Sequence, residues 1–214
     1  DWSWSRGLGD VYKRQVRNRP RIKLEYVDKI QSKSKYAEAV APVMQRGASL
    51  TRGDLGARSQ IFGTTTDYLN TTNYGVAKGR FFTNSEDRSG ARVALLGHDV
   101  AENLFPNEDP IGKKFKIDGI RFRVLGVMEK QGKFLGLFSF DTQVIIPSGA
   151  TQRLFSRRGF IRISVKVPAD KIEESKDEIY GIMRQIRGLK PSEKDDFAVN
   201  QTMAFENIYN GIKF

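Results

Sequence analysis

Apolar residues first recur at helical spacing on a short basic segment after Arg21, at Leu24, Val27 and Ile30, which predicts a helix over Leu24–Gln31. Ala39–Thr51 then reads as extended chain, Arg52-Gly-Asp-Leu-Gly56 supplies turn chemistry, and Arg58–Thr65 returns as a second strand, so the pair is predicted as a hairpin. The Arg-Gly-Asp string within that turn has the letters of a cell-adhesion tripeptide and is read as a solvated turn without that function. Arg92-Val-Ala-Leu-Leu-Gly97 has the composition of a short buried strand, and Asp99–Phe105 that of a brief helix stopped by Pro106. Lys114–Ile117 and Ile120–Val127 flank Asp118-Gly119. Phe115 and Ile117 answer Ile120, Phe122 and Val124 in period-two alternation, and Asp-Gly provides the positive-φ residues of a tight hairpin turn.

The last third changes character. Ile161, Ile163, Val165 and Val167 alternate with Arg162, Ser164 and Lys166, a strand with one buried and one solvated face, stopped by Pro168. Asp170 followed by Glu173 makes an aspartate variant of the capping box, and Ile172, Ile179, Met183 and Ile186 share a helical face up to Gly188. Phe197 and Val199 predict a further short strand, so strand, helix and strand form a split βαβ-type unit. Its counterpart is the helix Leu24–Gln31 leading into the strand from Ala39. Two small α/β halves enclosing a mainly β middle put the chain in the α+β class, as one discontinuous subdomain with a second inserted near Thr65 and Arg157. Asp1–Gln15, with Trp2, Trp4, Gly7 and Gly9 in a polar, unpatterned context, lacks the layout of a signal peptide and is set apart as non-native or disordered.

Composition narrows the function. The chain has 214 residues, of which 39% are hydrophobic, enough for a packed core. Lys and Arg number 36 against 25 Asp and Glu, a formal charge of +11 that favours anionic partners such as nucleic acid or lipid head groups. With no cysteine, disulfides, thiolate metal sites and cysteine nucleophiles are excluded, and the redox compartment stays open. The longest apolar runs, such as Val93–Leu96, fall far short of the roughly 18 residues of a membrane span.

Candidate chemistry is sparse. A phosphate-cradling Gly-x-x-x-x-Gly-Lys-Ser/Thr loop does not occur, and Glu86-Asp87 and Asp195-Asp196 fall in polar loops without the spacing of an acid–base pair. His98, the single histidine, is read as a surface or capping residue, since one imidazole makes no metal site or triad. No catalytic, cofactor-binding or metal-ligating residue is assigned, and no cofactor is expected. Arg17, Arg19, Arg21 and Lys23 cluster, and Arg157-Arg158 precede the strand carrying Arg162 and Lys166, so phosphates could be neutralised there. No stacking stripe, helix-turn-helix or zinc finger accompanies them. Gln131–Phe140 is physically distinct: Phe134, Leu135, Leu137, Phe138 and Phe140 stand among glycines with no sustained period. Such a loop either packs on the core or forms an apolar surface that docks a protein, a lipidic substrate or the membrane.

The order of motifs then becomes recognisable. Tyr74-Gly-Val-Ala-Lys-Gly-Arg-Phe-Phe82, Arg92–Gly97, Asn103-Leu-Phe-Pro-Asn-Glu-Asp-Pro-Ile-Gly-Lys-Lys114, Phe122-Arg-Val-Leu-Gly-Val127 and Val144-Ile-Ile-Pro147 together resemble the extracytoplasmic core domain of MacB-type, FtsX-like ABC transporter permeases, over roughly Val40–Gln201. Asp1–Gln15 matches nothing in that family by this reading. The resemblance implies a porter-like βαβ subdomain made from residues 16–65 and 157–202, and an inserted mainly β, Sabre-like subdomain over 66–156. Residues 203–214, with Met203, Phe205, Ile208 and Ile212, would run up to a transmembrane helix. Arg17, Arg19, Arg21 and Lys23 would then lie beside anionic lipid.

The function so implied is mechanotransmission rather than catalysis. A separate cytoplasmic ATPase drives motion that the periplasmic domain passes on, exporting substrates from the periplasm. The implied partners are an adaptor (membrane fusion) protein, the ATPase domain and a second protomer, in the bacterial inner membrane, with no nucleic acid. Phe134, Leu135, Leu137, Phe138 and Phe140 are the candidate partner- or substrate-contacting residues. The alternatives are a Lol-type lipoprotein-releasing permease domain, an FtsX-like signalling domain or, from another class, a soluble polyanion- or nucleic-acid-binding module.

Overall fold

The computed structural model describes residues 22–72, 74–134, 138–155 and 160–200. They fall into two compact units, one of residues up to 35 together with those from 170 onward, the other of residues 36–169.

In the first unit, helix α1 (Glu25–Lys33) buries Tyr26 and Ile30. Of the three positions that the apolar spacing predicts to face inward only Ile30 is buried, while Val27 and the N-cap residue Leu24 are half-buried and Tyr26 takes the second inward place. Ser34 Oγ and Lys35 N donate to the two oxygens of Glu178 at 2.5 and 2.9 Å, and Lys33 Nζ donates to Gln185 Oε1 at 2.7 Å. All five residues belong to this unit, and Glu178 and Gln185 lie on the long helix running from Ile172 to Arg187. That helix carries Glu173 and Glu174 in its first turn and Arg184 and Arg187 in its last, the polarity that the helix dipole favours. It ends on Gly188, whose φ of 67° is the left-handed conformation of a glycine stop.

Two local expectations are corrected here. The capping box at Asp170 does not form: a 3₁₀ turn over Ala169–Lys171 leads into the helix, Lys171 takes the N-cap position, and no side chain caps it. The capping box that does form lies at Thr83 and Glu86 in the other unit, where Thr83 Oγ1 accepts from Glu86 N at 3.2 Å and Thr83 N donates to Glu86 Oε2 at 2.8 Å. The strand expected at Phe197 and Val199 is also absent among the described residues. Arg184 instead donates to the carbonyl of Lys190 at 2.6 Å and to the carboxylate of Asp195 at 2.5 Å, which ties this stretch to the helix as an irregular loop. Phe197 is buried, its ring 5.5 Å from that of Tyr180. A buried aromatic and a set of held carbonyls thus satisfy the segment without a sheet partner.

The second unit is built on one sheet. Strands β1 (Ala39–Arg52) and β2 (Leu55–Thr64) form the predicted hairpin, in register from Val43 opposite Thr64 to Arg52 opposite Leu55. β2 continues into parallel pairing with the strand at Gln143–Pro147, which pairs antiparallel with β4 (Val93–Leu96), and β4 lies parallel to β6 (Ile120–Met128). β6 returns to β5 (Lys114–Ile117), whose Lys116 and Ile117 pair with Thr51 and Leu50 of β1, so six strands close into a ring. β3 (Val76–Gly79) is added on β6, and the strand at Phe160–Lys166 on β1. Asp118 and Gly119 have φ of 46° and 82°, the left-handed pair that the Asp-Gly signal requires of a tight turn.

Alternate residues of these strands fill a core of Leu50, Ile61, Ala94, Leu96, Phe115, Phe122, Val124, Val144 and Ile146. Helices α4 (His98–Leu104) and α5 (Ser148–Leu154) contribute Leu104 and Ala150 to it. The opposite face of the same strands, including Val43, Leu95, Leu125 and Ile145, is covered by Tyr68 and Phe82, which explains why every residue of β4 is buried. α2 (Tyr68–Thr71) and α3 (Asn84–Arg88) are single turns that place these covers. The result is mixed α and β around a sheet-rich core, the class that the patterning predicts.

The two units divide at 35/36 and 169/170, not near Thr65 and Arg157. The reason is hydrogen bonding: β2 pairs directly with Gln143–Pro147, and Phe160–Lys166 with β1, so the terminal hairpin and the middle strands share one continuous sheet.

Candidate functional site

The apolar loop of the sequence is a hairpin on the larger unit. β7 (Lys133–Phe134) pairs antiparallel with β8 (Phe138–Ser139), setting Lys133 opposite Ser139 and Phe134 opposite Phe138. Leu135 and Leu137, and the side chains of Phe134, Phe138 and Phe140, lie outside the described residues.

The base of this hairpin is well defined. Asp141, 2% exposed, accepts hydrogen bonds from the backbone N–H of Gln131 and of Gly132, each at 2.8 Å, one on each carboxylate oxygen. A buried carboxylate bonded in this way fixes the entering strand against the leaving one with two charge-assisted bonds. Gly132 has φ of 77°, a conformation that any side chain would strain. On the leaving side Ser59 Oγ donates to the Thr142 carbonyl at 2.6 Å and Gly97 N to the Gln143 carbonyl at 2.8 Å. Gly97 is required by close approach, because a Cβ there would stand 2.3 Å from the Asp141 carbonyl oxygen. The hairpin is therefore anchored to β2, to the end of β4 and to itself.

Neither Asp141 nor Gly97 is marked by periodicity. The signal available in the sequence was an acid directly after an apolar, glycine-bearing loop, which reads as an ordinary turn residue until its burial is known.

The other expectations fall as follows. Lys23 is exposed, with its Nζ 3.7 Å from Glu25 Oε1, and Arg17, Arg19 and Arg21 lie outside the described residues, as do Met203, Phe205, Ile208 and Ile212. His98 opens α4 after the N-cap Gly97. Its two ring nitrogens stand 3.7 Å from Asp99 Oδ1 and 3.7 Å from Glu102 Oε1, and ligand atoms of the three residues lie within 4.8 Å of one another. The fold thus brings two carboxylates to the lone imidazole, which the sequence reading did not anticipate. Burial and the neighbouring Tyr68 phenol push the Tyr74 hydroxyl above its usual range, so it stays protonated at neutral pH. Among the described residues no helix is long and apolar enough to cross a membrane.

Comparison with known proteins agrees with this architecture. Residues 3–181 match the MacB-like periplasmic core domain family. The match begins inside Asp1–Gln15, which corrects the expectation that this stretch lies outside the family. The chain is 30% identical over 161 residues, 74% of its length, to the macrolide export ATP-binding/permease protein MacB of Nitrobacter winogradskyi. It is 34% identical over 170 residues, 78% of its length, to the protein of that name from Rhodospirillum rubrum. A pyoverdine export ATP-binding/permease protein, PvdT of Pseudomonas savastanoi pv. phaseolicola, is 28% identical over 155 residues, 71% of the chain. The chain spans about a quarter of the length of these relatives, from 24% to 25%.

Among solved structures, the extracellular domain of the noncanonic ABC-type transporter YknZ from Gram-positive bacteria shares the fold with a TM-score of 0.67 at 20% identity, over 79% of this chain and 86% of that one. The periplasmic region of MacB from Actinobacillus actinomycetemcomitans does so with a TM-score of 0.66 at 20% identity, over 78% and 75%. On the family match and the identity to export permeases, this chain belongs to the MacB-like periplasmic core domain family, the periplasmic part of MacB-type ABC permeases.

Proposed function

We propose that this chain passes ATP-driven conformational change from the membrane part of an export permease to cargo on the periplasmic side, working with an adaptor protein and as one of two protomers. Family membership carries the reading, and the names of the relatives, macrolide and pyoverdine export proteins, set export as the class of work. The chain connectivity supports it: the described residues before 36 and after 169 belong to one unit and the closed sheet is inserted between them as another. A closed sheet reached by two chain crossings suits displacement as a whole. In this reading the ATPase activity lies in a separate part of the transporter, and the smaller and larger units correspond in role to porter-like and inserted subdomains.

The anchored hairpin at Lys133–Ser139 is the proposed contact with partner or cargo. Replacing Phe134, Leu135 and Phe138 together by Ser is expected to lower export and adaptor crosslinking, and unchanged values for both would leave the hairpin a structural part only.

Motion is tested in the full-length transporter. The chain contributes no cysteine of its own, so once any cysteines elsewhere in the transporter are replaced, Gln60→Cys on the exposed side of β2 gives a single labelling site per protomer. Spin-label distances between protomers are expected to differ between the nucleotide-free and vanadate-trapped states. Distances that stay constant while export proceeds would refute transmission through this domain.

A further inference from the structure

The outward face of β5 and β6 carries cations set directly against one another. The register places Lys114 opposite Arg123 and Lys116 opposite Arg121, all four exposed, with Phe115, Ile117 and Phe122 buried on the inner face. The pairing of β1 with β5 sets Thr51 beside Lys116, and that of β1 with β2 sets Ser49 beside Arg58, so the same face continues across two more strands. Gly47, Gly56 and Gln60 supply its remaining exposed positions. Five cations and no acid occupy the outward positions of this four-strand surface.

Like charges directly opposite across an antiparallel pair oppose folding. Several other cations of the unit are neutralised: Arg52 and Lys113 by Glu108, Lys78 by Asp109, Arg80 by Glu86, and Arg46 by Asp118. The five on this face are different. Among the described residues, none has an ion pair or a side-chain hydrogen bond. The acid next along the hairpin, Asp118 in the turn, is held by Arg46 at 2.6 Å and by Ser49 N at 2.9 Å. Stability of the fold alone gives no account of two opposed cation pairs.

We propose that this face docks an acidic segment of another protein. Cross-strand neighbours stand about 5 Å apart and alternate residues along a strand about 6.7 Å apart, a grid that carboxylates at i and i+4 of a helix, about 6 Å apart, can match. Ser49, Thr51 and Gln60 add hydrogen-bonding groups, and Gly47 and Gly56 keep the surface low enough for a partner backbone to approach. The face lacks an apolar wedge of the kind that seats a surface segment in lipid: among the described residues the exposed large hydrophobic side chain is Leu55, at the β1–β2 turn. That favours protein carboxylates over a bilayer. The inference stands apart from the transport reading.

The test uses the whole 214-residue chain and a labelled Glu-rich helical peptide of about 20 residues, with binding read by fluorescence anisotropy across a salt series. The variant Lys114→Thr, Lys116→Thr, Arg121→Thr and Arg123→Thr is compared with a charge-matched control, Lys35→Thr, Lys130→Thr, Lys190→Thr and Lys194→Thr, at exposed positions elsewhere. The expected result is roughly a tenfold or greater loss of affinity in the face variant, with the control within about twofold of the parent. The melting midpoint of the face variant should be equal to the parent's or higher, because repulsion is relieved. Equal losses in both variants would mean diffuse attraction and overturn the proposal. So would absence of peptide binding, or binding to phosphatidylglycerol-containing vesicles in preference to the peptide, which would assign the face to a membrane.

Discussion

Asp141→Ala removes the carboxylate that closes the base of the Lys133–Ser139 hairpin. Two bonds are lost, from Gln131 N and Gly132 N, each 2.8 Å long. A hydrogen bond to a charged group contributes about 1.5–3 kcal/mol, but Gln131 is exposed and Gly132 partly so, and water replaces part of what is lost. The balance is a local destabilisation of about 2–3 kcal/mol, which at 1.4 kcal/mol per decade speeds opening about 30- to 150-fold. Native-state hydrogen exchange at the Gln131 and Gly132 amides reads this directly, and amides of β4 in the same spectrum serve as the internal reference. Asp141→Asn should fall between, because its amide oxygen can still accept while its NH₂ faces a donor. Exchange at both amides within about threefold of the parent would refute the reasoning, since it would mean that the carboxylate does not hold the hairpin base.

Three further outcomes are expected. The two-pronged bond from Arg80, at 2.8 Å to each oxygen, and the Thr83 N–H hold the Glu86 carboxyl down from the ordinary 4.5 to about 2. Because the folded value is depressed, this stabilisation is complete above about pH 4.5 and is lost as the pH falls toward about 2; in Glu86→Gln, urea melts across that window should lose this part of the acid dependence. Gly97→Ala would put a methyl 2.3 Å from the Asp141 carbonyl oxygen, a backbone atom that cannot swing aside, and should cost about 1–3 kcal/mol in a urea melt; a neutral result would remove Gly97 from the hairpin's anchorage. Phe122→Ala empties a site that is 1% exposed, with the Phe155 ring stacked 6.3 Å away, and should cost about 3–5 kcal/mol by the same measurement; a loss below about 1 kcal/mol would show that the ring interior repacks freely.

Local pattern carried the strand and helix assignments where one residue type answers its neighbour within a few positions. Alternation at Phe115, Ile117 and Phe122 and the Asp118-Gly119 pair led to the right hairpin, because both are satisfied within a dozen residues. Phe197 and Val199 show the limit: alternation over so short a run is compatible with a strand, but a strand needs a neighbour to bond. Here the Arg184 guanidinium holds the preceding carbonyl and carboxylate groups first. The capping box fails at Asp170 for a similar reason, since the chain enters the helix through a 3₁₀ turn that Thr83 does not have.

From residue order alone the chain determined its class, its hairpins, the glycine stop at Gly188 and, through the spacing of its motifs, its family, since each of these rests on short-range sterics, periodicity or sequence likeness. Tertiary structure alone decided where the units divide, because parallel pairing of β2 with Gln143–Pro147 joins residues some eighty positions apart. It decided that Asp141 is a buried clamp rather than a turn residue, and that Lys114, Lys116, Arg121 and Arg123 form opposed pairs rather than scattered charges. Register and burial are properties of which strands meet, and that choice is made by the summed packing of the ring interior rather than by any one segment.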